Sequence, residues 1–318
     1  MTSGALSILQ REATSDEATL PAWPLGWYVV ARSSDLARQA QLQVTLASRE
    51  CVLFRTKSGV LGAVDAHCPH MGAHLRHGSV EGEALVCPLH RWKIAPDGSA
   101  TGMEPGCRRA RTWHVEERFG LIFLHLGSHV RTELPAPEQA DRYAWGTSAQ
   151  VTIDTDWHCL AVNGFDMPHL HAVHHRKLVE PAQITVTPRE KLTLRYTSRV
   201  TGRSLSDLAM RWLAKDRIHV RQQCFGPVVV VETDLGFTKT TAVLGLLPEG
   251  DHVRAFGAFG ILPGRLTSLR LLLTRILFTA FLRRDFRVVA GMRLRTDVAD
   301  EGVRRLASFL RSLPRLES

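Results

Sequence analysis

The chain has 318 residues, of which 44% are hydrophobic and 22% charged, a balance that excludes a disordered chain and suits one large or two ordinary folded domains. Lys+Arg 40 against Asp+Glu 31 gives a net charge of +9; with no Lys/Arg tract or aromatic-interleaved motif beside it, nucleic acid is not expected, whereas an acidic protein or an anionic membrane surface fits. Six cysteines are too few for a disulfide scaffold and the N-terminus lacks a basic-then-apolar leader, so the expected location is cytoplasmic.

In chain order, residues 1–21 read as a tail. Residues 22–130 are short apolar runs cut by Gly, Pro and Asp, such as "CVLFRT" and "FGLIFLHL", and predict a small all-β domain. Within it lies "CPHMGAHLRHGSVEGEALVCPLHRW" (68–92). A stretch rich in Pro and charge, 131–145, reads as a linker. From 146 to 318 comes a second domain, opening on the helical "DTDWHCLAVNGFDMPHLHAVHH", with Pro168 as a kink or fresh helix start. Strand-like runs follow, then two closing helices. The most apolar segment, "LLLTRILFTAFL" (271–282), would reach only about 18 Å as a helix, too short for a hydrocarbon core of about 30 Å. Neither GxGxxG nor GxxxxGK[ST] occurs, so no nucleotide or flavin fingerprint is present.

The cysteine and histidine pairs carry the first chemistry. Structural zinc sites favour like pairs such as Cys-x-x-Cys, but here each pair mixes one Cys with one His, Cys68 with His70 and Cys87 with His90. Mixed pairs suit a two-iron cluster in which one iron takes both thiolates and the other both imidazoles. The arrangement resembles a Rieske [2Fe–2S] centre, with Pro69 and Pro88 in matching loop positions. Ala73 and Leu89 stand where respiratory Rieske proteins carry a further disulfide, which favours the ferredoxin or oxygenase type. Arg91 stands where oxygenases usually have Gly. His67, His74 and His77 are read as loop residues outside the ligand set. Cys51, Cys107, Cys159 and Cys224 are read as free thiols.

"NGFDMPHLHAVHH" (163–175) then concentrates four His and an Asp. On a regular helix His171 and His175 would pair at i, i+4, while His169 and His174 are five apart, and spacing alone leaves the choice open. The pattern Asn163-x2-Asp166-x2-His169-x4-His174 resembles the mononuclear iron motif of Rieske non-haem iron oxygenases, and is similar to single-component monooxygenases of the dicamba monooxygenase kind. Val162 departs from the acidic residue that often precedes the Asn. The resemblance implies that His169 and His174 ligate Fe(II), that Asp166 bridges cluster and iron, and that Asn163 belongs to the same site. A facial triad needs a carboxylate. Asp285 is the candidate: on a wheel of about 100° per residue it falls inside the apolar arc of Leu277, Phe281, Val288 and Met292, where a carboxylate must be paired or bound to metal. Its alternative is a salt bridge to Arg284. Asp297, Asp300 and Glu301 lie in a more solvated stretch.

The expectation is therefore α+β: an N-terminal Rieske β-domain followed by a helix-grip (START-like) antiparallel-sheet catalytic domain with an apolar tunnel. The resemblance implies a homotrimer using O2 on a small hydrophobic substrate, with His90 passing electrons through Asp166 to a neighbour's His169. A separate NAD(P)H-dependent reductase, with or without a ferredoxin, would supply those electrons. Two alternatives remain open at this point. One is an electron-transfer protein with a ligand-binding second domain. The other is a membrane-peripheral sterol or lipid oxygenase using 269–287 as a basic amphipathic surface.

Overall fold

The computed structural model describes residues 20–102, 108–130, 132–203, 208, 211 and 217–316. The reading of 1–21 as a tail, and of Cys107 as a free thiol, falls almost wholly outside them.

The N-terminal unit is built from three antiparallel sheets. Gly26–Arg32 and Val115–Arg118 flank Leu121–Leu126 in one; Ala40–Leu46, Arg49–Arg55 and Leu61–Asp65 form the second. The third is a ladder of five short strands from Ser79 to Arg109. All six residues of Leu121–Leu126 are buried, as a strand covered on both faces requires. One cover comes from the C-terminal unit. Tyr28, Val29, Ile122 and Phe123 share a continuous core with Val228, Val243, Leu247 and Phe256. Gly245 permits the approach: a Cβ there would sit 2.3 Å from the Cβ of Val29.

The C-terminal unit is a nine-stranded antiparallel sheet. Its main path runs Ala144–Thr147, His252–Ile261, Lys239–Glu249, Val228–Asp234, Ile218–Cys224, Lys191–Val200, Arg176–Leu178. Val151–Ile153 and Gln183–Thr187 pair on its flanks. Residues 132–143 run over this sheet, where Arg221 holds both Glu138 and Glu232. The helices are α1 (Trp157–Asn163), α2 (Met167–Ala172), α3 (Thr267–Val289) and α4 (Glu301–Ser312). The long helix α3 packs on α1 and on the strands Ala144–Thr147 and His252–Ile261. Gly257 lets it come close, since a Cβ there would lie 3.2 Å from Phe278. This is the expected α+β arrangement of a small β unit followed by a sheet gripping a helix.

Helix α3 corrects one expectation. Asp285 and Val289 are buried, but Leu277, Phe281, Val288 and Met292, the arc expected to be inside, are exposed. The helix carries large apolar residues on both sides, so a wheel cannot orient it. The strands do so, receiving Leu271 and Phe278. Among the described residues no helix is long and apolar enough to cross a membrane.

Candidate metal centres

Two loops of matching construction hold the Cys/His pairs. The N–H of Gly72 donates to the carbonyl of Cys68 at 2.9 Å, and that of Arg91 to Cys87 at 3.2 Å. Each fifth residue is left-handed, Gly72 at φ +76° and Arg91 at φ +58°. Glycine adopts that conformation without penalty, whereas a side chain costs on the order of 1 kcal/mol. Arg91 pairs with Glu81 at 2.5 Å on the exposed side of the loop. The loop thus keeps its shape without the usual Gly. Cys68 and Cys87 are buried at the loop bases. His70 and His90 lie further out, their rings 4.8 Å apart, and His70 stacks on Trp92 at 4.9 Å. Burial pushes the Cys68 thiol up; the N–H of His70 opposes this and the adjacent Cys87 adds to it. Two inner sulfurs facing two outer imidazoles are the donor set a Rieske cluster requires.

The second centre joins residues far apart in sequence. Asp166 caps α2, its Oδ1 accepting from the His169 N–H at 3.1 Å, and Pro168 sits in the first turn. Pro168 therefore marks a fresh helix start. The helix ends at Ala172, so 169–174 is not one regular helix. The chain swings His174 back beside His169, ring centroids 5.2 Å apart. Both Nε2 atoms point at one oxygen of Asp285, at 3.0 Å from His169 and 2.7 Å from His174. Burial pushes the Asp285 carboxyl up, but contacts with His169, His174 and Asn163 outweigh it and hold the group below the usual carboxylate range. Donors about 2.1 Å from one ion at right angles would stand about 3 Å apart, as each imidazole does from Asp285. His174 Nδ1 is buried without a hydrogen-bond partner among the described residues. This donor set fits a mononuclear Fe(II) facial triad.

His171 and His175 are exposed and take no part in this group. Arg284 is also exposed, and Asp285 is paired with the imidazoles. Asp300 caps α4, while Asp297 and Glu301 pair with Arg295 and Arg305. Sequence reasoning missed two neighbours of the triad. Phe281 stacks on His174 at 4.1 Å. Tyr196 lies near enough to feel the charge of Asp285, and burial pushes its phenol up to about 12. Both arrive through tertiary packing, and their local sequence carries no signal. A third cluster, Glu50, His67 and His74, brings one donor atom each within 4.8 Å. There His74 Nδ1 accepts from the Arg76 N–H at 3.2 Å, which places a neutral ring's proton on Nε2, facing Glu50 at 3.5 Å. His67 and His74 also form a backbone bridge on either side of the Cys68 loop. A separate surface cavity of about 300 Å³, lined by Tyr143, Phe237 and Leu262 among others, shares no lining residue with the triad.

Residues 26–114 match the model of the Rieske [2Fe-2S] domain. The chain is 30% identical over 169 residues to cholesterol 7-desaturase of Bombyx mori, covering 50% of this chain and 37% of that protein. It is 33% identical over 177 residues to a probable 3-ketosteroid-9-alpha-monooxygenase oxygenase component of Rhodococcus rhodochrous, covering 51% and 44%. The matches thus span less than half of these relatives' length. Among solved structures, dicamba monooxygenase bound to dicamba superposes with a TM-score of 0.67 at 18% identity, covering 90% of this chain and 96% of that one. NdmA of Pseudomonas putida CBB5 with caffeine gives 0.68 at 17%, covering 90% and 88%.

Proposed function

From a chain that carries a Rieske [2Fe–2S] domain on the fold of the Rieske oxygenases, we propose an oxygenase component that oxidises a small hydrophobic molecule with O2 and electrons from a separate NAD(P)H-dependent reductase. The observation that carries this reading is the meeting of His169, His174 and Asp285 on one carboxylate oxygen in the same chain as the two Cys/His loops. Cys68, His70, Cys87 and His90 would hold the cluster, and His169, His174 and Asp285 the Fe(II). When bound, the cluster supplies single electrons and the iron a site for O2.

The chain's own residues set up that chemistry. Asp285 Oδ1 lies within 3.0 Å of both Nε2 atoms, so the three donors converge on one point. Asn163 fixes the carboxylate. Asp166 caps α2 through the N–H of His169 and so fixes the backbone of that ligand. Phe281 covers one face of His174 and keeps water from it. The Tyr196 phenol, pushed up to about 12 by burial, stays protonated at neutral pH. At the cluster loops Met71 and Leu89 are exposed beside His70 and His90. They suit the docking of a partner over the imidazoles, either the reductase, a ferredoxin or a second copy in a homotrimer. The named relatives act on sterols and ketosteroids, so a steroid-like skeleton is the proposed substrate class, handled in the cytoplasm.

Metal analysis of anaerobically purified protein tests the proposal. Three Fe and two labile sulfides per chain are expected. Two Fe per chain would instead favour an electron-transfer protein with a ligand-binding second unit, and stoichiometric zinc would overturn both.

A further inference from the structure

Helix α3 turns only one side to the sheet. On the other side Leu269, Leu272, Leu273, Ile276, Leu277 and Phe281 are 49, 53, 52, 57, 60 and 42% exposed. They form one convex apolar strip about 18 Å long. A contiguous strip of six large aliphatic and aromatic side chains is more than a soluble surface usually leaves in water, and marks an interaction site.

The charges around the strip select the partner. Exposed Arg265, Arg275, Arg283, Arg284, Arg287 and Arg293 lie on the helix or just beyond its ends. The helix carries one carboxylate, Asp285, which is buried and committed to His169 and His174. A two-fold contact of this face with itself would set arginine against arginine, with no exposed acid on α3 to pair them, and a head-to-tail contact with another face of a second copy is an outcome of the test below. An anionic bilayer meets both demands. Its acyl layer takes the leucines, its headgroups take the guanidinium groups, and the arginine stems reach from one to the other. Only the exposed side of α3 would meet the bilayer, since its other apolar side packs Leu271 and Phe278 onto the sheet. We infer that α3 is a membrane-docking surface for anionic lipid. The strip is continuous with the metal centre, because Phe281 belongs to it and also stacks on His174. A molecule dissolved in the bilayer would thus approach the triad along this helix. The docking goes beyond the oxygenase reading and stands without it.

Flotation of the full chain with vesicles tests the inference independently of turnover. Two preparations are compared, phosphatidylcholine alone and phosphatidylcholine with a minority of phosphatidylglycerol. The protein should float with the anionic vesicles, and added salt should weaken that binding. The double variant Leu272→Gln/Ile276→Gln should lower the partition at least about tenfold. Arg283→Gln/Arg287→Gln should lower it several-fold and flatten its salt dependence. The visible spectrum of the cluster shows that each variant is folded. Absence of flotation overturns the proposal, as does flotation that neither double variant alters. If the wild type stays in solution as an oligomer that Leu272→Gln/Ile276→Gln splits, a second copy covers this face and the inference is wrong. Binding of an acidic electron donor through these arginines, with no vesicle binding, overturns it equally.

Discussion

Replacing Asp285 with Ala in the iron-depleted protein removes an acceptor that two imidazoles share at 3.0 and 2.7 Å. The side chain is 11% exposed, so solvent cannot replace it without rearrangement. Each hydrogen bond to a charged group contributes about 1.5–3 kcal/mol, and removing one partner of a buried pair costs about 3–5 kcal/mol. Asp285→Ala should therefore lower the stability of the iron-free chain by about 3–5 kcal/mol in urea unfolding. Asp285→Asn keeps the volume and one carbonyl acceptor, and should cost about half as much. Arg284→Ala, on the exposed side, should stay within about 0.5 kcal/mol. On iron loading, both Asp285 variants should drop mononuclear iron to below about a tenth per chain, a loss of at least about 1.4 kcal/mol in binding, with the cluster spectrum unchanged. An Asp285→Ala protein that loses less than about 1 kcal/mol and still loads its third iron would refute the triad.

His169→Ala and His174→Ala should also lose the mononuclear iron on metal analysis, while His171→Ala and His175→Ala keep most of it. Asp166→Asn preserves a good helix cap, so both metal sites should load normally; in single-turnover experiments with pre-reduced cluster, substrate oxidation should fall at least about 100-fold, and near-normal turnover would remove Asp166 from the electron route. Gly245→Ala puts a methyl against Val29 at the junction of the two units and should cost about 1–3 kcal/mol in urea unfolding. Burial pushes the Cys51 and Cys224 thiols up, Cys224 to about 12; near pH 8 about one Cys224 in ten thousand is thiolate, so neither should react with a disulfide reagent until denaturant is added.

What was legible in the sequence depended on how local each feature is. Cys68/His70 and Cys87/His90 could be read because each pair lies within one five-residue turn, and the spacing survives folding unchanged. The choice between His169/His174 and His171/His175 could not be made from spacing. It depends on α2 ending at Ala172, a stop that no Gly or Pro announces. Asp285 was found by an argument whose premise fails: its neighbours on the wheel are exposed, and the carboxylate is buried because the sheet grips the adjacent face. Phe281 and Tyr196 were illegible, since strand register and helix rotation bring them to the triad across wide gaps in sequence. The α+β order could be read because period-2 runs and turn residues separate cleanly from the two closing helices.

The core shared by Tyr28, Val29, Ile122 and Phe123 with Val243 and Phe256 bears on how this chain can be handled. An expression fragment ended after the Leu121–Leu126 strand would keep every cluster ligand yet bare one whole face of that strand to water. Such a fragment would trade its missing partner for aggregation, however well the iron–sulfur loops were assembled. The same weld fixes the orientation of the two units. The spacing between the Cys/His loops and the His169, His174 and Asp285 group of one chain is therefore set by this packing.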